Sequence, residues 1–251
     1  MSTLPTLTTL PTLTDRTILI TGANRGIGRA LLDEALQRGA RRVYAASRTP
    51  FAHPDDRVVP LLLDVTDAGQ IQEAAERVDA LDVLVNNAGL ARSDDLTDRG
   101  VVEEHLAVNL FGPLALTQAF RPALVRSGGA VVNVLSLASL ASLPFIPAYS
   151  ASKAAALSMT QSLRAMLAPE GVRVHAVLTG PVDTEMSRDL DVPKAAPAAV
   201  AAAILDGVAA GREEIFPDPM SAVLAAGWDG DAVKTLERAN APLIAAIAAM
   251  G

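Results

Sequence analysis

Residues 17–28 read TILITGANRGIG, and this stretch decides the fold. TILIT is a short, β-branched run that suits a buried strand. Helical spacing starts at Ile27, runs to Arg38 and is stopped by Gly39. Between strand and helix lie Gly22, Gly26 and Gly28, where a Cβ would hold the backbone away from a pyrophosphate. The helix start offers free N–H groups and a positive dipole end to phosphates. The turn, with Asn24, Arg25 and Ile27 in it, is therefore a candidate dinucleotide cradle; the alternative is a tight strand–helix turn with no ligand.

Working outward, strands and helices alternate. RVYAAS (42–47) and VVPLLLD (58–64) read as the second and third strands, GQIQEAAERV (69–78) as a helix and LDVLVNNAG (81–89) as a strand ending in a polar turn. Helical segments follow around 101–109 and 110–126, then strand GAVVNVLS (129–136) and an Ala-rich helix over 149–167. VRVHAVL (172–178) is a sixth strand, AAVAAAILDGV (198–208) a helix, EEIFP (213–217) a short seventh strand, and the rest reads as helical. Most strands are apolar on both faces, which means a parallel sheet covered on both sides. The expected fold is α/β, a Rossmann-like doubly wound sheet of seven mostly parallel strands. Residues 1–14, a Thr/Leu/Pro near-repeat, read as a loose tail ahead of one domain over 15–251.

Composition narrows the function classes. Half of the 251 residues are apolar and only 3% aromatic, so Ala, Leu and Val must fill the core. A net charge of −7 without a Lys/Arg cluster argues against a nucleic-acid partner. The absence of cysteine removes disulfides, thiolate catalysis and thiolate-bound metal, and fits a reducing cytoplasm. The N-terminus has neither the basic start nor the apolar block of a secretory signal. The one long uncharged stretch, 127–152, is broken by Gly, Pro and Ser, so no membrane partner is expected. His53, His105 and His175 are scattered without ligand spacing, so no metal is expected. The acidic pairs 55–56 and 94–95 read as solvated loops, and no G-x-S-x-G nucleophile elbow is found.

The glycine spacing G-x-x-x-G-x-G, together with NNAG at 86–89 and YSASK at 149–153, resembles the short-chain dehydrogenase/reductase family. The matching motifs run from Thr21 to about Thr184, in the family's order and spacing. The resemblance implies hydride transfer between a nicotinamide cofactor and a carbonyl or alcohol carbon of a small molecule. It also implies a homodimer or homotetramer joined through the helices near 110–126 and 149–167, which here are rich in Ala and Leu.

The second strand ends in AASRTP, placing Ser47 and Arg48 where NAD-binding relatives carry an acid. A guanidinium can chelate a 2′-phosphate that a carboxylate would repel, so NADP(H) is expected over NAD(H). Arg25 is a second cation, placed where NADPH-preferring relatives carry one. By resemblance Asp64 and Val65 contact the adenine, although a cap on the next helix is open to Asp64, and Thr66 and Asp67 suit that cap at least as well. By the same resemblance Asn86, Ala88 and Gly89 line the adenosine and central part of the cofactor. Gly180, Pro181, Val182 and Thr184, in LTGPVDTEM, match the segment around the nicotinamide carboxamide. Thr179 stands where the family usually has Pro, and Leu135 where a small or polar residue is common.

Carbonyl reduction also needs a proton. Of the two tyrosines, Tyr44 lies inside a predicted strand, whereas Tyr149 begins a helix with Lys153 four residues on and on the same face. A neighbouring ammonium is expected to lower the phenol's pKa and make Tyr149 a general acid/base. Ser136 matches the family's catalytic serine, with Ser139 a rival, and would hold the carbonyl oxygen. Asn109, in VNLFGP, matches a fourth member that shapes its helix and supports a proton-relaying water; Lys153 would also bind the nicotinamide ribose. Leu137, Leu143, Pro144, Phe145 and Met186 are candidate substrate walls. The lid, EMSRDLDVPKAA (185–196), is short, which implies an open site, and FPDPMSAVLAAGWDGD (216–231) replaces the family's Gly-rich tail. Two other classes stay open: a dinucleotide-binding regulator without chemistry, and the epimerases and dehydratases among longer relatives, for which this chain is short.

Overall fold

In the computed structural model, which describes residues 12–49, 51–228 and 230–242, the strands form one sheet in the order β3-β2-β1-β4-β5-β6-β7. The strands are β1 (Thr17–Thr21), β2 (Arg42–Ser47), β3 (Val58–Leu62), β4 (Val83–Asn86), β5 (Ala130–Val134), β6 (Arg173–Val177) and β7 (Glu214–Ile215). Every pairing is parallel. The chain winds outward from β1 to β3, then returns to lay β4 on the other side of β1. That reversal opens a crevice at the carboxyl ends of β1 and β4, where ligands of such sheets bind.

Alternation along each strand builds two cores. Ile18, Ile20, Val83, Val85 and Val132 face α1 (Gly26–Gln37) and α6 (Pro197–Ala209), meeting Leu31, Leu32, Ile204 and Leu205. Leu19, Leu84 and Val131 face the other way, onto Leu116, Phe120 and Leu124 of α4 (Gly112–Ser127) and Leu163 and Leu167 of α5 (Pro147–Leu167). Each such side chain, fully buried, contributes roughly 1.5–3 kcal/mol. α2 (Ala68–Arg77) is capped by Asp67, whose carboxylate accepts from the Gly69 and Gln70 amides. Pro60 lies in β3, tolerated because β3 is an edge strand.

The structure departs from the sequence expectations in two places. The expected tail 1–14 is too long: Leu13 is buried in the first core and the Thr14 hydroxyl donates to Arg38 O, while residues 1–11 lie outside the described residues. The expected break between 109 and 110 is instead a continuous helical run in which α3 (Arg99–Leu106) passes into α4 through a π-helical turn, Ala107–Phe111. The C-terminal segment does form new contacts. α7 (Pro219–Trp228) lays Trp228 against Leu135, Leu178 and Leu157. α8 (Ala232–Asn240) is fastened by a buried ion cluster: Lys234 meets Glu214 and Glu237, and Arg164 of α5 meets the same two carboxylates. Among the described residues no helix is long and apolar enough to cross a membrane.

Candidate active site

The Gly-rich turn is built as its residues require. Gly22 and Gly26 have φ of +66° and +55°, the left-handed region that disfavours a side chain. A Cβ on Gly28 would stand 2.2 Å from Gly22 O, so no other residue lets the first turn of α1 fold onto the end of β1. Asn24 and Arg25 are exposed on this turn and Ile27 packs against the core. The N-terminus of α1 has no side-chain cap and no acid in its first turn. This cradle, with open amides at a helix start, fits the pyrophosphate of a dinucleotide.

Thr21 and Asn87, which the sequence reading did not single out, lock that turn to the end of β4. The Asn87 and Ala88 amides donate to Thr21 Oγ1 (2.9 and 3.0 Å), and Asn87 Nδ2 donates to Thr21 O (2.8 Å). Asn86 corrects an expectation. Its side chain points between the sheet and helices α4 and α5, donating to Asn133 Oδ1 at 2.8 Å, with Asn133 in turn donating to Thr160. Successive strand residues face opposite ways, so of the two asparagines it is Asn87 that reaches the crevice. Gly89 lies against the deeper groups: a Cβ there would be 3.4 Å from Asn109 Oδ1 and 3.8 Å from Lys153 Nζ.

At the adenosine end the candidates separate. Ser47 is buried and its hydroxyl donates to Thr49 O (2.6 Å), whereas Arg48 is exposed at the end of β2. Asp64 accepts from the Thr66 amide and hydroxyl, and these bonds, the amide's first, hold its carboxyl below the usual range; nearby Arg48 adds to this. The helix cap is Asp67, not Asp64. Val65 buries its side chain against Gly112, leaving its backbone as the part available to a ligand. Arg25, the second cation expected here, forms an exposed ion pair with Glu185.

Ser136, Tyr149, Lys153 and Asn109 gather at the ends of β4 and β5. Ser136 caps the short turn Leu137–Ser139, accepting from the Ala138 amide at 3.1 Å. The rival Ser139 is buried and its hydroxyl receives the Ser136 amide (3.4 Å); it supports Ser136. Tyr149, in the first turn of α5, lies beside Ser136. Burial pushes its phenol above the ordinary value and the Ser136 hydroxyl pulls the other way; the net shift is upward. This reverses the expected lowering. The reason is geometric: Lys153 Nζ donates to Val134 O (2.9 Å) and lies 5.7 Å from the phenol ring centroid. Burial draws the lysine itself down to about 8.

Asn109 sits in the π turn, and the wider turn lets its amide reach the backbone of Leu90. Oδ1 accepts from Leu90 N and Nδ2 donates to Leu90 O, both at 2.9 Å, with a further bond to Ser152 Oγ. These bonds hold the segment after NNAG beside Lys153. His105, read only as a scattered histidine, meets the Tyr149 ring edge-on at 6.5 Å and holds the Arg92 amide through Nε2. Asp94 is not simply a solvated loop residue: it accepts from the Ala148 amide in the first turn of α5 (3.2 Å). Among the described residues no three His, Asp or Glu side chains gather as a metal site.

Gly180, Pro181, Val182 and Thr184 follow β6 along the same crevice. Thr179, in place of the family's Pro, donates to Leu135 O (3.2 Å) and accepts from the Leu137 amide (2.9 Å), extending the β5–β6 register past the strands to either side of Ser136. The short lid is closed at its base by a bridge between Val182 and Ala195, and Thr184 packs against Gly26. Leu137 is half-buried beside Trp228, while Leu143, Pro144, Phe145 and Met186 are exposed on the loops before α5 and after β6.

Comparison with known proteins identifies the family. Residues 16–194 match the protein family described as short chain dehydrogenase. A short-chain dehydrogenase of Penicillium crustosum is 39% identical over 184 residues, covering 67% of this chain and 66% of that protein, so the match spans just under two thirds of its length. A sorbitol dehydrogenase of Cereibacter sphaeroides is 34% identical, covering 69% of this chain and 73% of that one. Among solved structures, a short chain dehydrogenase from Burkholderia cenocepacia in complex with NADP superposes with a TM-score of 0.83 at 40% identity, over 90% of this chain and 98% of the other. One from Burkholderia phymatum in complex with NAD has a TM-score of 0.75 at 22% identity, over 85% and 92%. The chain belongs to the short-chain dehydrogenase/reductase family.

Proposed function

We propose that the protein is an NADPH-dependent carbonyl reductase in which Tyr149 protonates the substrate oxygen that Ser136 holds. The observation that carries this reading is the juxtaposition of Ser136 and Tyr149, set one helical turn from the buried Lys153 at the carboxyl ends of β4 and β5. NADPH, when bound, supplies the hydride for the carbonyl carbon. Gly22, Gly26 and Gly28 would admit its pyrophosphate to the start of α1, and Gly180 to Thr184 would hold its nicotinamide end. Ser136 fixes the carbonyl oxygen and stabilises the charge that grows on it. Tyr149 gives its phenolic proton to that oxygen, so the carbon gains a hydride, the oxygen a proton, and an alcohol leaves.

Tyr149 is protonated at neutral pH and can give its proton to the carbonyl oxygen; in the reverse reaction its phenolate would take that proton back. Lys153 would bind the ribose hydroxyls and pass a proton back to Tyr149, and Asn109 fixes the Leu90 backbone beside it. The NADP-bound Burkholderia cenocepacia relative supports a nicotinamide dinucleotide, and exposed Arg48 supports the phosphorylated form. The exposed Val125 and Met166 on α4 and α5 suit a homodimer or homotetramer across those helices.

Two measurements test these roles. The wild-type protein should show a higher kcat/KM with NADPH than with NADH, and Arg48→Ala should remove roughly tenfold or more of that preference, the worth of a charged hydrogen-bond pair. A wild-type preference for NADH would refute the assignment. Ser136→Ala should lower kcat roughly 10²-fold or more with NADPH affinity unchanged, because it removes a bond made chiefly to the developing alkoxide. An unaltered kcat would exclude Ser136 from the chemistry.

A further inference from the structure

The sequence between β7 and α7 carries a buried carboxylate with no part in the chemistry above. Asp218 is 4% exposed, and no ion pair partners it among the described residues. Its two oxygens divide their work. Oδ1 accepts from the Met220 and Ser221 amides (3.1 and 3.0 Å), capping α7. Oδ2 accepts from the Ser221 hydroxyl and, at 2.8 Å, from the amide of Gly180. A cap needs one acceptor oxygen, which Ser, Thr or Asn would supply at lower desolvation cost. The second oxygen reaches 38 residues back in sequence, to the start of the segment after β6. That contact is tight: a Cβ on Gly180 would lie 2.7 Å from Asp218 Oδ1.

Gly180 follows Thr179, whose carbonyl holds the Leu137 amide next to Ser136, and precedes Pro181 and Val182, whose backbone closes the lid base with Ala195. The geometry points to Asp218 as a positioning residue that clamps the nicotinamide-binding segment to α7, so that α7 sets how the reactive end of the cofactor is held. This inference rests on the cofactor reading proposed above.

Asp218→Asn separates the two tasks. The amide oxygen can keep the α7 cap while its NH2 group faces the Gly180 N–H, donor against donor. Two ligands are titrated: NADPH, which reaches the clamped segment, and adenosine 2′,5′-bisphosphate, which ends before it. The expected result is an NADPH Kd raised roughly tenfold, with that for the bisphosphate unchanged. Ser221→Ala, which removes a hydroxyl from the cap but leaves the Gly180 bond, should lower Tm and leave the ratio of the two affinities at the wild-type value. Equal effects on both ligands, or none, would overturn the positioning role and leave Asp218 a helix cap. If wild-type protein binds neither ligand, the cofactor reading itself fails. A second measurement needs no variant: NADPH, but not the bisphosphate, should slow amide exchange in residues 220–222. Unchanged exchange there would also overturn the inference.

Discussion

Replacing Tyr149 with Phe is expected to lower kcat for ketone reduction roughly 10²–10⁴-fold while leaving NADPH affinity unchanged. The substitution removes one oxygen from a ring whose packing is fixed by other contacts, including the edge of His105 at 6.5 Å. Ser136 keeps its orientation in the variant, because the Ala138 amide and the Ser139 hydroxyl hold it independently of the phenol. The loss therefore reports the missing proton donor rather than a collapsed site. Stopped-flow NADPH oxidation with wild type and variant measures it. A variant that retains most of its kcat would show that the proton comes from another group.

Replacing Lys153 with Met should abolish most activity and yet stabilise the protein at neutral pH. Burial lowers the folded-state pKa of Lys153 to about 8, against about 10.4 in an unfolded chain. The gap of roughly 2.4 units, at 1.36 kcal/mol each, is a penalty on the order of 3 kcal/mol for keeping the charged lysine in the fold. A depressed value means the folded state releases the proton first. The penalty is thus fully present below about pH 8 and is relieved as pH rises from there toward about 10.4, where the unfolded chain binds more protons. Methionine removes the penalty and forfeits the hydrogen bond to Val134 O, worth about 1 kcal/mol. The net gain at pH 7 is about 2 kcal/mol, and it should shrink as pH approaches 10. Urea unfolding of both proteins at pH 7 and pH 10 checks it; a variant less stable than wild type at pH 7 would show that the buried ammonium is not under strain.

Much of this site was legible because its backbone requirements are written in residue types. The glycines of the first turn announce positive φ and close approach, and both are found at Gly22, Gly26 and Gly28. The succession of β1 to β7 along the chain is legible in apolar runs alternating with helical spacing. What was not legible depends on which way a side chain turns. Both asparagines of NNAG look alike in sequence, yet Asn86 goes into the polar layer beneath α4 and α5 while Asn87 faces the turn; strand alternation was the available signal. The π turn at Asn109 leaves no mark in helical periodicity, since one extra residue shifts the pattern less than the pattern itself varies.

The phenol's shift was misjudged for a related reason. Spacing places Lys153 on Tyr149's face, but only coordinates reveal that the ammonium donates to Val134 O and that burial outweighs its pull. Long-range pairings were the least accessible. Asp218 with Gly180, Arg25 with Glu185, and Lys234 with Glu214 each join residues from different elements, and composition does not distinguish them from solvated charges. They also explain how the chain does without a Gly-rich tail: helices α7 and α8 are tied down by a carboxylate and an ion cluster instead.

The most direct test of hydride transfer at this site follows an isotope. The protein is incubated with NADPH deuterated at the transferable C4 position and a panel of ketones and aldehydes, and the products are read by mass spectrometry. Deuterium should appear on the carbinol carbon of an alcohol product and vanish when Tyr149→Phe replaces the wild type. Tight NADPH binding with no deuterium in any product would mean the pocket holds the dinucleotide without performing chemistry on it.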